Sequence, residues 1–572
     1  MHLRVSIRAV TLAATGMFVV SACGGGGTTS QNLAAPDKQI INMNDGTEPN
    51  SYDPTQQTYT YEAAVGRNVF QTLLVSNAQG TDVVPAGAES YSVSSDGLTY
   101  TFKLRSGAKW SDGKAVTAAD WVYGYKHLLN PALAAGYVDP FFDSTIKGAD
   151  AYSSVDVSSA SAIDTFLNGL GLAAPDPNTF VITLQHPAAF FKWVVTLWVA
   201  PPLRQDIVEQ AAGGTFASND TTKPEAWAQK SSTIIGNGPF MISEIVSKDH
   251  VTLVPNPNYW GGAPHFQKIV LWFIEDANTA YAKYQTGDLD AITVPLANVD
   301  VVRNDPKLSK EAKVYPKLTT FWMVTNTKKA PFDNADVRMA FAKSIDRDKL
   351  NKQVQHDIQQ SILSFIPKGM AGYDTSNKAQ SFDPAAAKAL LQKAGVTADQ
   401  LNKFKLLTRN TTRNKTINQF IIDQWNTNLG LNMQLDVIDS KTVTSRLRKG
   451  DFDLYGPDGW GADYPDQQDW FDIYISSPTL PCPHGFNWGC WSSPAYDALV
   501  SKADTELDQN ARNKDYKAAQ DMLINQAAVA FIFQDYEYNL IKPYIGGLTI
   551  TASDDQSLPG DLFWHDAYVT QH

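Results

Sequence analysis

The chain has 572 residues, more than one hydrophobic core usually supports, so two or three lobes are expected. Apolar residues make up 43% and aromatic residues 11%, the composition of a packed globular chain, which excludes a disordered one. The formal charge of −12, from 47 basic and 59 acidic residues, argues against phosphate-backbone binding, which needs concentrated positive charge, so no nucleic-acid partner is expected.

Arg4 and Arg8 give the chain a positive start, and residues 9 to 20 are mostly apolar. That run falls short of the ~20 residues a bilayer-spanning helix needs, so residues 1–22 read as a cleavable export signal rather than an anchor. Val20-Ser21-Ala22-Cys23 resembles the lipobox of bacterial lipoproteins, which implies lipidation of Cys23. Residues 23–36, rich in glycine and polar side chains, then read as a flexible tether. The expected location is exported and lipid-anchored to the cell membrane, on its periplasmic or extracellular face.

Alternation of apolar and polar residues predicts strands at 39–43, 91–94, 99–104, 179–184, 251–254 and 269–274. Ser95-Asp96-Gly97 marks a hairpin turn between two of them. A helix is predicted over 62–75, with Val65, Val69 and Leu73 on one face. Another starts after Thr117, with Asp120 placed as in a capping box. Gly236-Asn237-Gly238-Pro239 reads as a tight turn before a strand near Phe240. Further on, helices are predicted near 334–346, 383–394, 415–429, 494–505 and 510–528, and strands near 322–326, 404–408, 433–438, 452–456 and 529–534. This alternation indicates an α/β lobe with a mixed sheet, and two lobes with a cleft between them suit ligand capture.

No zinc-protease helix, phosphate loop or nucleophile elbow occurs, so an enzyme reading has no residue constellation behind it. Gly169-Leu170-Gly171-Leu172-Ala173-Ala174 is followed at once by Pro175, where a dinucleotide-binding helix would have to continue. The nine histidines show no ligand spacing; no metal and no cofactor are expected. Cys482 and Cys490 remain after Cys23, and in an oxidising compartment they read as a local disulfide. The best candidate site is Gly459 to Phe471, GWGADYPDQQDWF. Asp463 there follows a predicted strand, and a partly buried aspartate needs a cation or several donors to offset its desolvation. A ligand ammonium would meet that need, although spacing alone favours an ordinary loop aspartate capping the next element.

Seven blocks carry a wider resemblance: Gly46 to Pro54, Phe70 to Leu74, Asp96 to Pro131, Gly236 to Gly262, Ala330 to Leu350, Asp383 to Gly395 and Ser492 to Val500. In this order they resemble the extracellular solute-binding proteins of ABC importers, oligopeptide/dipeptide-binding type (bacterial solute-binding protein family 5). The resemblance implies an α/β, periplasmic-binding-protein-like two-lobe fold with an additional inserted domain (cluster C type). Lobe I would combine 37–70, 190–318 and 541–572, the extra domain would cover 71–189, and lobe II 319–540.

The resemblance further implies an extended oligopeptide ligand held by its backbone in the cleft, then delivered by a monomer to ABC permease subunits in the membrane. By position, Thr58, Tyr59 and Thr60 match one flanking segment, Gly459, Trp460 and Gly461 the other. Asp463 matches the family's aspartate for the peptide's α-ammonium, and Tyr137 falls at a ligand-contact position. The chain departs from the family's type member, which has an arginine shortly before the Gly-Trp step: here Gly456-Pro457-Asp458 stands, and Pro457 lacks a donor. Related proteins bind oligosaccharides, nickel complexes or haem, and a peptide-sensing receptor would use the same cleft.

Overall fold

The computed structural model describes residues 32–211, 226–474, 482–483, 486–554 and 558–572. The export signal and Cys23 lie outside the described residues. The architecture is mixed α/β, organised on one eleven-stranded sheet. From one edge its strands are Gln434–Ile438, Lys405–Arg409, Leu454–Gly461, Ala312–Thr325, Val529–Ile541, Ala291–Thr293, Ile40–Asn44, Lys268–Trp272, His250–Pro255 and Phe240–Val246. Gln360–Ser361 adds to Val529–Ile541.

Two strands, Ala312–Thr325 and Val529–Ile541, run through the middle and are 14 and 13 residues long. They pair antiparallel, and the register breaks between Pro316 and Thr320. Proline brings no N–H to a ladder, so Pro316 is suited to a place where pairing lapses. On one side of the break the pair continues into Ala291–Thr293, and on the other into Leu454–Gly461. Sequence patterning predicts only the apolar ends of both strands, near 322–326 and 529–534. The second strand carries Gln534, Asp535, Glu537 and Asn539, all buried, and these polar residues erase its hydrophobic signature. Tertiary partners bond to them: Gln534 donates to the Lys317 carbonyl at 3.0 Å, and Asn539 to the Tyr315 hydroxyl at 2.8 Å.

A separate four-stranded sheet, Ala88–Val93, Thr99–Leu104, Thr179–Thr183 and Leu172–Asp176, packs on the helix Ala118–Leu128. The expected hairpin closes through Ser94, whose N–H meets the Thr99 carbonyl at 2.9 Å, with Gly97 at φ +73°. Asp120 accepts from the Thr117 N–H at 2.7 Å, fixing the start of the helix. The core of this region takes in Phe102, Trp121, Phe180 and also Phe190 to Ala200. Residues 190–200 therefore share this core, which also takes in Ala63. A second core gathers Ile41, Phe240, Leu271 and Trp564, and two more gather residues between Leu318 and Phe533.

Two local expectations are corrected. The helix predicted over 62–75 is Thr60–Val69, followed by a short strand, Leu74–Ser76. Its end is fixed from outside: the Asn237 side chain accepts the Gln71 N–H at 2.9 Å and donates to the Gln71 carbonyl at 3.1 Å. The second concerns Gly236-Asn237-Gly238, which is not a tight turn but a segment pressed against the helix end. A Cβ on Gly236 would lie 2.0 Å from the Val69 oxygen, and one on Gly238 2.6 Å from the Asn68 oxygen. Gly236→Ala is expected to lower stability by about 1–3 kcal/mol, the range for overpacking a tight contact, and denaturant unfolding measures it.

Candidate functional site

The strand Leu454–Gly461 is half covered. One edge pairs with Thr319 to Thr325, while the parallel neighbour Lys405–Arg409 reaches only Leu454 and Tyr455 on the other. Beyond Tyr455 no strand covers that second edge among the described residues. The Ala462 N–H donates to the Leu318 carbonyl at 2.8 Å. Antiparallel bonding alternates every two residues, so Trp460 faces Thr320, and Gly459 and Gly461 turn their N–H and C=O groups to the open edge. Pro457, next along that edge, adds a carbonyl but no donor.

Asp463 sits just past this edge. The Tyr137 hydroxyl donates to its Oδ1 at 2.8 Å, while its Oδ2 is buried without a hydrogen-bond partner. Its own N–H donates to Asp469 at 3.1 Å. Burial pushes the Asp463 carboxyl up to about 7, against the pull of Tyr137 and Arg67. Burial, then the neighbouring Asp463 charge, also push the Asp469 carboxyl well above the usual carboxylate range. Two close carboxyls in a dry setting resist joint ionisation, so a cation delivered here gains more than it would on the surface.

Tyr137 comes from the region with the four-stranded sheet, and Asp463 from just past the strand Leu454–Gly461 of the eleven-stranded sheet. The same junction is packed by rings: Tyr137 meets Trp198 at 5.0 Å, and Phe141 meets Tyr464 at 5.5 Å. Arg67 lies over Trp198 at 5.0 Å and pairs with Asp561 at 3.0 Å. Sequence reasoning singled out neither Arg67 nor Asp469 as a site residue. Asp469 stood inside the acidic segment already quoted, but a lone arginine on a helix gave no signal.

The other flank is built differently from the expectation. Thr58 and Tyr59 donate their N–H groups to Glu62 at 2.7 and 2.9 Å, and Asn50 donates to the same carboxylate at 2.9 Å. Glu62 thus caps the helix Thr60–Val69 and uses up the main-chain donors of Thr58 and Tyr59. These two residues are removed as N–H donors to a guest. Thr58 instead lies against Gly136, where a Cβ would meet its methyl at 2.5 Å, and so next to Tyr137. Thr60 begins the helix itself.

Cys482 and Cys490 are joined, with Cα atoms 5.6 Å apart. Among the described residues no group of histidine, cysteine and carboxylate side chains could hold a metal, and no helix is long and apolar enough to cross a membrane.

Residues 82–479 match the family described as bacterial extracellular solute-binding proteins, family 5 Middle. The oligopeptide-binding protein OppA of Bacillus subtilis is 29% identical over 92% of this chain and 93% of its own. The murein tripeptide binding protein MppA of Escherichia coli superposes with a TM-score of 0.78 at 28% identity, covering 95% of this chain and all of that one. The unliganded open form of MppA superposes less well, at 0.70, over 95% of this chain and 99% of that one. OppA of Haemophilus influenzae, in complex with the peptide RPPGFSPFR, gives 0.76 at 26% identity, covering 94% of this chain and all of that one.

Proposed function

We propose, for a chain that belongs to the bacterial extracellular solute-binding proteins of family 5, that it captures oligopeptides in the cleft between its lobes and delivers them to an ABC permease. Members of this family bind solutes and do not catalyse, so the protein is not an enzyme. The observation that carries the peptide reading is the pairing of an unbonded strand edge, Gly459 to Gly461, with the buried, unpartnered Oδ2 of Asp463. An edge of this kind binds any extended backbone by strand addition, which suits many sequences. Each such bond adds roughly 1 kcal/mol net, so the carboxylate is needed to fix the amino end.

The long strands Ala312–Thr325 and Val529–Ile541 serve as the two connections about which the lobes close. Their register break gives the pair a weak point between lobes. The Tyr137–Asp463 bond spans the junction, and the lower TM-score against an open form fits a closed arrangement. Tyr137 then contacts the guest from the opposite wall, and lipidation at Cys23 keeps the receptor at the membrane beside the permease. Peptide recognition is favoured over a neutral sugar because an arriving ammonium offsets the cost of ionising a buried carboxyl, which an uncharged hydroxyl does far less.

The test is native mass spectrometry of freshly purified protein, followed by release and sequencing of what it carries. Bound peptides with free amino ends are the expected result. A sugar, a metal complex or haem in their place would overturn the peptide reading.

A further inference from the structure

A second contact, away from Asp463, joins parts of the molecule that belong to different cores. Leu507 sits in the connection between the helices Pro494–Thr505 and Gln509–Asn525, whose Tyr496, Val500 and Tyr516 share a core with Trp322 and Phe531. Facing it is the hairpin turn between Ser94 and Thr99, whose sheet contributes Phe102 and Phe180 to another core. A Cβ on Gly97 would lie 3.2 Å from the Leu507 Cδ1, 3.3 Å from its Cδ2 and 3.2 Å from the Pro187 Cβ. Leu507 and Pro187 therefore cover one point of the turn, and Gly97, at φ +73°, leaves room for both. The tip that carries the leucine is fixed in shape. Asp508 accepts the Ala511 N–H at 2.8 Å and gives its own N–H to Glu506 at 2.8 Å. Even so, Leu507 remains 49% exposed.

This tip is tied to the acidic segment. Arg512, near the start of Gln509–Asn525, donates to both oxygens of Asp466 at 2.8 and 2.5 Å. The pair is almost fully buried, and a two-pronged guanidinium–carboxylate bond fixes direction as well as distance. The Asp466 N–H in turn meets the Tyr464 carbonyl at 2.8 Å, next to Asp463. Arg512 also lies over the Phe190 ring at 6.0 Å, on the same side as Pro187. Helix, acidic segment and tip thus move as one piece. Closure that brings Asp463 to Tyr137 also brings Leu507 to the Gly97 turn.

We infer that Leu507 is a latch on the rim of the cleft, which docks on the Gly97 turn and Pro187 when the lobes close and sets how long a guest stays. The inference rests on the proposed clamp function. The latch forms after the guest has entered, so its loss acts on the rate of release and not on the rate of arrival. It touches no part of the guest and holds every peptide alike. A half-exposed leucine gives a contact of limited strength, which slows release without preventing hand-over to a permease.

The test is stopped-flow kinetics with the peptide Ala-Ala-Ala-Lys, labelled with a fluorophore on the lysine side chain. Leu507→Ala is expected to raise the dissociation rate about three- to tenfold, the effect of half burying a leucine, and to leave the association rate within about twofold. Leu507→Met keeps the apolar bulk and is expected to restore release to within about twofold of the original protein. An unchanged dissociation rate in Leu507→Ala, or a change carried by the association rate, would overturn the latch and leave the peptide function standing. A guest-free arm separates the two readings. A Pro187→Cys, Leu507→Cys double variant, treated with a short bifunctional thiol reagent, is expected to cross-link within the chain. No cross-link would overturn the latch; a cross-link in a protein that binds no peptide would support the closing contact and overturn the peptide function.

Discussion

Asp463→Asn is expected to weaken binding of free-amine peptides by roughly 10- to 150-fold, the equivalent of losing a charge-assisted bond of about 1.5–3 kcal/mol. The same peptides with an acetylated amino end are expected to change by less than about threefold, because they bring no charge to the carboxylate. Asparagine keeps the size of the side chain and an oxygen for the Tyr137 hydroxyl, now 2.8 Å from Oδ1, so the lobes can still meet. Calorimetric titration of both peptide forms against both proteins gives the four affinities required. A loss that is the same for free and acetylated peptides would mean that Asp463 shapes the junction without marking the amino end.

Affinity for free-amine peptides is expected to pass through a maximum between about pH 7 and 8. Burial in the closed arrangement pushes the Asp463 carboxyl up to about 7. Only the ionised form attracts an ammonium, so binding is fully available above that value and is lost as pH falls through it, by at most about tenfold per pH unit for one proton. The upper limit comes from the guest, whose α-amino group loses its charge with a pKa of about 7.7–8.0. Below pH 7 each binding event must also release a proton, since the arriving ammonium favours the carboxylate. Titrations at pH 6 in buffers of different ionisation enthalpy would reveal that proton. Acetylated peptides should show neither limb. A flat profile for free-amine peptides would show that the carboxylate is already ionised well below neutrality in the working protein.

The acidic segment shows how a site can be legible while its chemistry is not. The run from Gly459 to Phe471 already contains Gly459, Trp460, Gly461 and Asp463, with Asp469 six positions further on. A carboxylate behind a strand, flanked by aromatic residues, is visible in one dimension. That Asp463 and Asp469 bear on each other depends on the chain folding back after Asp463, where the Asp463 N–H meets the Asp469 carboxylate at 3.1 Å. Thr58 and Tyr59 show the opposite case. Their place in the family pattern suggested main-chain donors, but Glu62, three or four residues on, takes both N–H groups within the same helix start.

The sequence by itself determined the element types, the mixed α/β class and the location of the acidic site, because each rests on patterning within a few residues: periodicity, caps and turn residues act locally. Only the tertiary structure decided that Val529–Ile541 is one strand despite four buried polar residues, since their partners Lys317, Tyr315, Thr293 and Arg413 come from remote parts of the chain. It alone decided that the helix Thr60–Val69 stops where Asn237 intercepts Gln71, and that Tyr137 reaches Asp463 across 326 positions of sequence. These outcomes turn on burial and on pairing between distant segments, and neither has a signature in local spacing.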